Sequence, residues 1–314
     1  MNHMSEDASQ STPAALHLPA MGPTGLFGPT TAMWMIMREN MATLGGLSAV
    51  LLQLAHPAIA AAGAHSSRMR RDPGGRIRRT FAAMYEIIFG DLAMAGATVE
   101  RIHRIHRNIA GKGEGESWRA TDPSLLFWVL ATLIDSSIRT YELLVEPLSL
   151  QDRRDYYVDM RVFGATMGIP YYFMPETWED FEIWFDGMIH GDELRISPAG
   201  RRFAEFIVNN PVARWTGSAV LVGGLLQPRW REAYGMPWTQ KQERRFQLAV
   251  VVLRGMRRLL PPSVRFCPAY HQALRRLSAA PPESRTLVTG AMIRISRVLG
   301  LPWALEPYIS SSQR

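Results

Sequence analysis

The side chains most able to do chemistry lie in one stretch of the chain, between residues 56 and 106. Within residues 93–110, Val99, Ile102, His106 and Ile109 recur at spacings of three, four and three, which sets His106 on the apolar stripe of a helix. An imidazole on a buried face needs partners for its nitrogens. A haem iron is one such partner, because it takes a neutral nitrogen in apolar surroundings. A backbone carbonyl is another, and the spacing alone does not choose between them. His103 falls beside Arg107 at the margin of the stripe. Upstream, Arg76, Arg79 and Thr80 stand at i, i+3 and i+4 and share a helical face. Guanidinium and hydroxyl donors there could hold a propionate or stabilise negative charge developing on dioxygen. The same arginines belong to a basic run (Arg68, Arg70, Arg71, Arg76, Arg78, Arg79) that also reads as a solvated face.

Other chemistries lack their residues. Glu100 and His103 have the Glu-x-x-His spacing of a di-iron carboxylate bundle, but the chain has no second such motif. One cysteine, Cys267, excludes an internal disulfide, a zinc finger and a cysteine-ligated iron–sulfur cluster. Dinucleotide-binding, phosphate-loop and nucleophile-elbow signatures are missing. The net charge of +7 comes from 33 arginines and only Lys112 and Lys241, and it is only partly concentrated, so a nucleic-acid partner is not expected.

The elements that must position these residues are helical. Strand-like alternation is scarce, whereas apolar residues recur at three and four positions over long windows. The pattern predicts an all-α fold with helices near 31–38, 44–55 (breaking at Pro57), 75–89, 93–110, 122–145, 150–167, 177–190, 198–209, 215–225, 239–259, 268–277 and 284–299. Glycine and proline at 111–115, 168–175 and 227–237 punctuate them. With 314 residues, 47% hydrophobic and 20% charged, the chain suits one large domain. We expect a mobile N-terminal arm at 1–24, a single domain at 25–307 and a tail at 308–314. Residues 1–29 carry no Arg or Lys and no signal-peptide pattern, which points to a cytoplasmic protein. The apolar run 41–64 contains Gln53, His56 and Pro57 and reads as a buried helix rather than a membrane span. Beside the basic run it also suggests a peripheral membrane contact.

A resemblance extends this reading. The run from Gln53 through His56-Pro57 to Ala58, His65-Ser66, Asp72 through Arg76 to Arg79-Thr80, Phe89-Gly90-Asp91, and Ile105-His106-Arg107-Asn108-Ile109-Ala110-Gly111 resembles the MpaB-type oxygenase family. That family includes the rubber-cleaving latex clearing proteins. Later matches follow in order at Asp122-Pro123, Tyr141-Glu142 and Arg231-Glu232-Ala233-Tyr234-Gly235. The resemblance implies a haem b protein with a globin-like helical core that uses dioxygen to cleave or oxidise carbon–carbon double bonds of apolar substrates. It matches His106 to the proximal iron ligand, and Arg76 and Thr80 to the Arg and Thr near the haem. Arg79 falls where latex clearing proteins have a lysine able to act as distal ligand, a departure because arginine keeps its proton and ligates iron poorly. His65 could reach a propionate. His56 is a hallmark of the family, and the carbonyls freed by Pro57 favour a structural hydrogen-bonding role for it.

Together these observations lead to the expectation of a haem-dependent oxygenase acting on a small hydrophobic substrate, with Arg76 and Thr80 as catalytic donors. The alternative is a non-catalytic binder of haem or of a lipid-like ligand in the same helical pocket.

Overall fold

A computed structural model describes residues 25–65, 73–113, 116–209 and 218–278. The expected arm at 1–24, the helix near 284–299 and the tail lie outside these residues. The described chain is all-α apart from one two-stranded hairpin. Its helices are α1 (Ala32–Met37), a 3-10 turn (Asn40–Gly45), α2 (Gly46–Leu54), α3 (Pro57–His65), α4 (Pro73–Phe89) and α5 (Leu92–Arg107). After strands β1 (Ala110–Gly113) and β2 (Glu116–Arg119) come α6 (Pro123–Leu144), α7 (Leu150–Thr166), a 3-10 turn (Tyr171–Phe173), α8 (Trp178–His190) and α9 (Pro198–Asn209). The chain continues through α10 (Ser218–Leu225), α11 (Pro228–Ala233), α12 (Gln240–Leu259), α13 (Pro262–Arg265) and α14 (Pro268–Ser278).

Helix starts follow local chemistry. Ser149 with Asp152, Thr177 with Asp180 and Thr239 with Gln242 form capping boxes at the starts of α7, α8 and α12. Helix α6 is the axis of the fold. Phe127, Trp128, Leu130, Ala131, Ile134, Ile138, Tyr141 and Leu144 are all buried along it, and α1, α2, α7, α12 and the first 3-10 turn pack around it. One hydrophobic core runs from Phe27 to Ala273, and a second, smaller cluster joins Leu144, Leu221, Leu225, Phe246 and Val250 under α12.

Several features differ from the sequence expectation, beginning with helices α11 and α13, which fall where no helix was expected. Residues 110–119 form an antiparallel hairpin where glycine punctuation alone was expected. Gly111 pairs with Trp118, whose ring lies so close that a Cβ on Gly111 would come within 2.6 Å of it. Pro57, expected to end a helix, also begins one, since proline is tolerated in a first turn. At this break the chain turns by 109°. Carbonyls near the break also accept from the core: Tyr234 Oη donates to Leu51 O at 2.5 Å, Trp128 Nε1 to Leu52 O at 3.2 Å and Arg195 N to Ala55 O at 2.7 Å, while Gln53 O, which Pro57 cannot serve, accepts from His56 N at 3.1 Å. Within the apolar run, Leu51, Leu52, Leu54, Ala55 and Ala60 are buried, and no single described helix is long and apolar enough to cross a membrane.

Candidate functional site

Helices α4 and α5 form an antiparallel hairpin turned at Gly90-Asp91, where Asp91 caps α5 by accepting from Met94 N at 2.8 Å. Phe81, Met84, Tyr85, Ile87, Ile88 and Phe89 on one helix and Ala95 and Thr98 on the other are buried. The register is held by Glu86, whose Oε2 accepts from Thr98 Oγ1 at 2.6 Å and from Arg101 Nη2 at 2.8 Å. Carried along both helices at 1.5 Å rise per residue, that register puts the start of α4 level with the end of α5. Arg76, Arg79 and Thr80 therefore share one end of the hairpin with His103 and His106.

The two histidines occupy the last two turns of α5, one helical step apart. Val99 and Ile102 beside them pack against the main core. His106 is half-buried, while Ile109 lies beyond the end of the helix and is 37% exposed. His103, placed at the margin by the sequence, is the more distinctive of the two. Its Nε2 is buried and has no hydrogen-bond partner among the described residues. What it faces is the turn after α7, where Gly168 adopts a left-handed φ of +94° and a Cβ would stand 3.8 Å from Nε2. Nothing local to residues 93–110 could reveal that neighbour, because it comes from a distant loop.

On the facing helix, Arg79 and Thr80 are exposed. Arg76 lies in the first turn of α4 and His65 at the end of α3; their side chains lie outside the described set. Helix α3 packs on β1, the strand that follows α5 after two residues. His56 begins the other end of α3, about 13 Å away by helical rise. There its Nδ1 accepts from Ala58 N at 3.3 Å, and burial holds the imidazole below the usual histidine range against the pull of the Glu193 carboxylate. The register thus sets the helix positions of residues 76–80 at the same end of the hairpin as His103 and His106.

A haem iron takes a neutral imidazole and its propionates take cationic or hydroxyl donors; the described side chains of those kinds at this end of the hairpin include His103, His106, Arg79 and Thr80. Past Gly168, an open cleft of about 540 Å³ is lined by Arg161, the Tyr171–Phe173 turn, Met174 and Trp184. The Arg161 guanidinium covers the Tyr171 ring at 5.3 Å.

Comparison with known proteins bears on the same residues. The family model described as "ER-bound oxygenase mpaB/B'/Rubber oxygenase, catalytic domain" matches residues 33–255, a span that contains every candidate side chain above. Uncharacterized proteins of Mycobacterium tuberculosis and Mycobacterium bovis are each 27% identical over 226 residues, 68% of this chain and 87% of theirs. No solved structure matches it.

Proposed function

Because the chain belongs to the MpaB and rubber oxygenase catalytic-domain family, and is thus an oxidoreductase of the oxygenase type, we propose that it is a haem b-dependent oxygenase acting with dioxygen on a small hydrophobic substrate. What supports this reading most is that His103 and His106 on α5 and positions 76, 79 and 80 on α4 fall at one end of a single helical hairpin.

Haem b, when bound, supplies the redox-active iron that activates dioxygen. His106, on the same side of α5 as Val99 and Ile102, would hold that iron through a neutral imidazole. Arg76 and Thr80, one turn apart, would orient dioxygen and offset the negative charge it takes on. Arg79, whose guanidinium offers no lone pair, would serve as a cation for a propionate rather than as a ligand. His65 would be a further propionate donor, and the buried nitrogen of His103 another. Apolar walls from Val99 and Ile102 would select substrate by shape rather than charge.

The test is dioxygen uptake by the haem-loaded protein over a panel of unsaturated, isoprenoid-like compounds. Arg76→Ala and Thr80→Ala should each lower turnover about tenfold or more, with the circular dichroism spectrum unchanged. Wild-type turnover in both variants would assign these two residues to the solvated basic face.

A further inference from the structure

Helix α12 is apolar on two sides, and only one of them is covered. Its inner side carries Phe246 and Val250 into the smaller hydrophobic cluster, and Arg257 fixes its roll by donating to the buried Glu39 at 2.7 and 3.2 Å. The outer side presents Leu248, Val251, Val252 and Leu259, which are 63%, 66%, 48% and 86% exposed. These positions, with Gly255 between them, follow the i, i+3, i+4, i+7 and i+11 spacing of one helical stripe. Gly255 has open space around it, so nothing in the described protein closes over the stripe there.

Charge says what the stripe is for. Lys241, Arg244 and Arg245 border it at one end and Arg258 at the other; all are exposed, and none is ion-paired among the described residues. Arg254 is different, since its guanidinium donates to Leu143 O at 2.6 Å and Glu142 O at 3.2 Å and so caps α6. The one carboxylate of the helix, Glu243, is held by Trp238 Nε1 and Gln247. An apolar stripe flanked by uncompensated cations is the pattern of a helix lying in a membrane interface.

We propose that the outer face of α12 docks this protein on an anionic lipid bilayer, with Leu248, Val251, Val252 and Leu259 entering the interface and Lys241, Arg244, Arg245 and Arg258 meeting the headgroups. The alternatives are opposed by the same charges. A second copy would bring this cationic rim against itself. Residues 279–314, with four arginines against two glutamates, also carry net positive charge. Only a negatively charged surface satisfies both the apolar stripe and its rim.

The experiment is flotation of the full-length protein with vesicles of phosphatidylcholine alone or with about one third phosphatidylglycerol. It reads no haem signal, so it stands apart from the catalytic assignment. Wild type should float with the anionic vesicles and be released by high salt, and should ignore the neutral ones. Val251→Asp should weaken binding about tenfold or more while keeping the circular dichroism spectrum, and Arg244→Ala with Arg245→Ala should weaken it and flatten its salt dependence. Absence of wild-type flotation, or variants that float like wild type, would overturn the proposal. So would a dimer, seen by light scattering without lipid, that Val251→Asp dissociates, since the stripe would then be a self-association surface.

Discussion

His103 and Gly168 meet across the candidate site: the buried, unpartnered Nε2 of one faces the left-handed backbone of the other, where a Cβ would lie only 3.8 Å away. A buried polar nitrogen without a partner is destabilising on its own. Removing it should therefore help the haem-free protein and harm haem binding, if the nitrogen is kept for the haem. We expect His103→Leu to raise haem-free stability by about 1 kcal/mol in urea unfolding and to weaken haem affinity several-fold. A loss of stability in the haem-free form would show that His103 already has an internal partner.

A second relationship holds α12 in place. Glu39 is 1% exposed and receives both Arg257 donors, with Arg265 Nε at 3.5 Å. Removing Arg257 leaves the buried Glu39 with only the longer contact to Arg265, so Arg257→Ala should cost about 3 kcal/mol in denaturant unfolding. Replacing both partners, Glu39→Met with Arg257→Met, should cost less than the single change. A single variant within about 0.5 kcal/mol of wild type would contradict the bridge as drawn.

The lowered affinity of His56 for protons has a definite sign. Its folded-state value lies below the unfolded value of about 6.5, with burial as the main cause and Glu193 opposing. As pH falls below about 6.5 the unfolded chain takes up the proton first, so stability is complete above that pH and is lost progressively beneath it. In wild type the melting temperature should drop on acidification from about pH 7.5 to about pH 5, and in His56→Gln by a few °C less. His271, also lowered by burial, remains in both proteins and cancels in the comparison. Equal slopes would show that His56 does not titrate with unfolding.

Much of this was legible from local sequence. The three-and-four spacing and the glycine and proline punctuation gave most helix positions to within a few residues, because these signals are local. The candidate residues came from the ordered motifs of the resemblance, and the structure sets Arg76, Thr80 and His106 on two consecutive helices of one hairpin. What escaped depends on distant partners. Glu39 carries no local mark of burial, its guanidinium lying more than two hundred residues away. The hairpin at 110–119 is short and glycine-rich, and the contact between Gly111 and the Trp118 ring that makes it has no periodicity to read. The exposure of Leu248 and Val251 was equally hidden, since a helix that is apolar on both sides looks in sequence like a fully buried one.

Arg79 leads to a kinetic prediction. With arginine where a lysine ligand would stand, the iron should have no protein group to shed on that side. Cyanide or imidazole should then bind ferric protein at a rate that rises linearly with ligand concentration. A saturating rate with a bis-histidine spectrum would identify a sixth ligand, His65 or His103, and favour a carrier over an oxygenase.

A hemin titration of the purified wild type and of His106→Ala, followed by absorption spectroscopy, reads out whether His106 holds a haem. Wild type should show a Soret band that saturates at about one haem per chain, and His106→Ala, with unchanged circular dichroism, should retain less than about a tenth of it. A wild-type protein that stays colourless with added hemin, or a His106→Ala variant that binds haem with the wild-type spectrum, would contradict that role for His106.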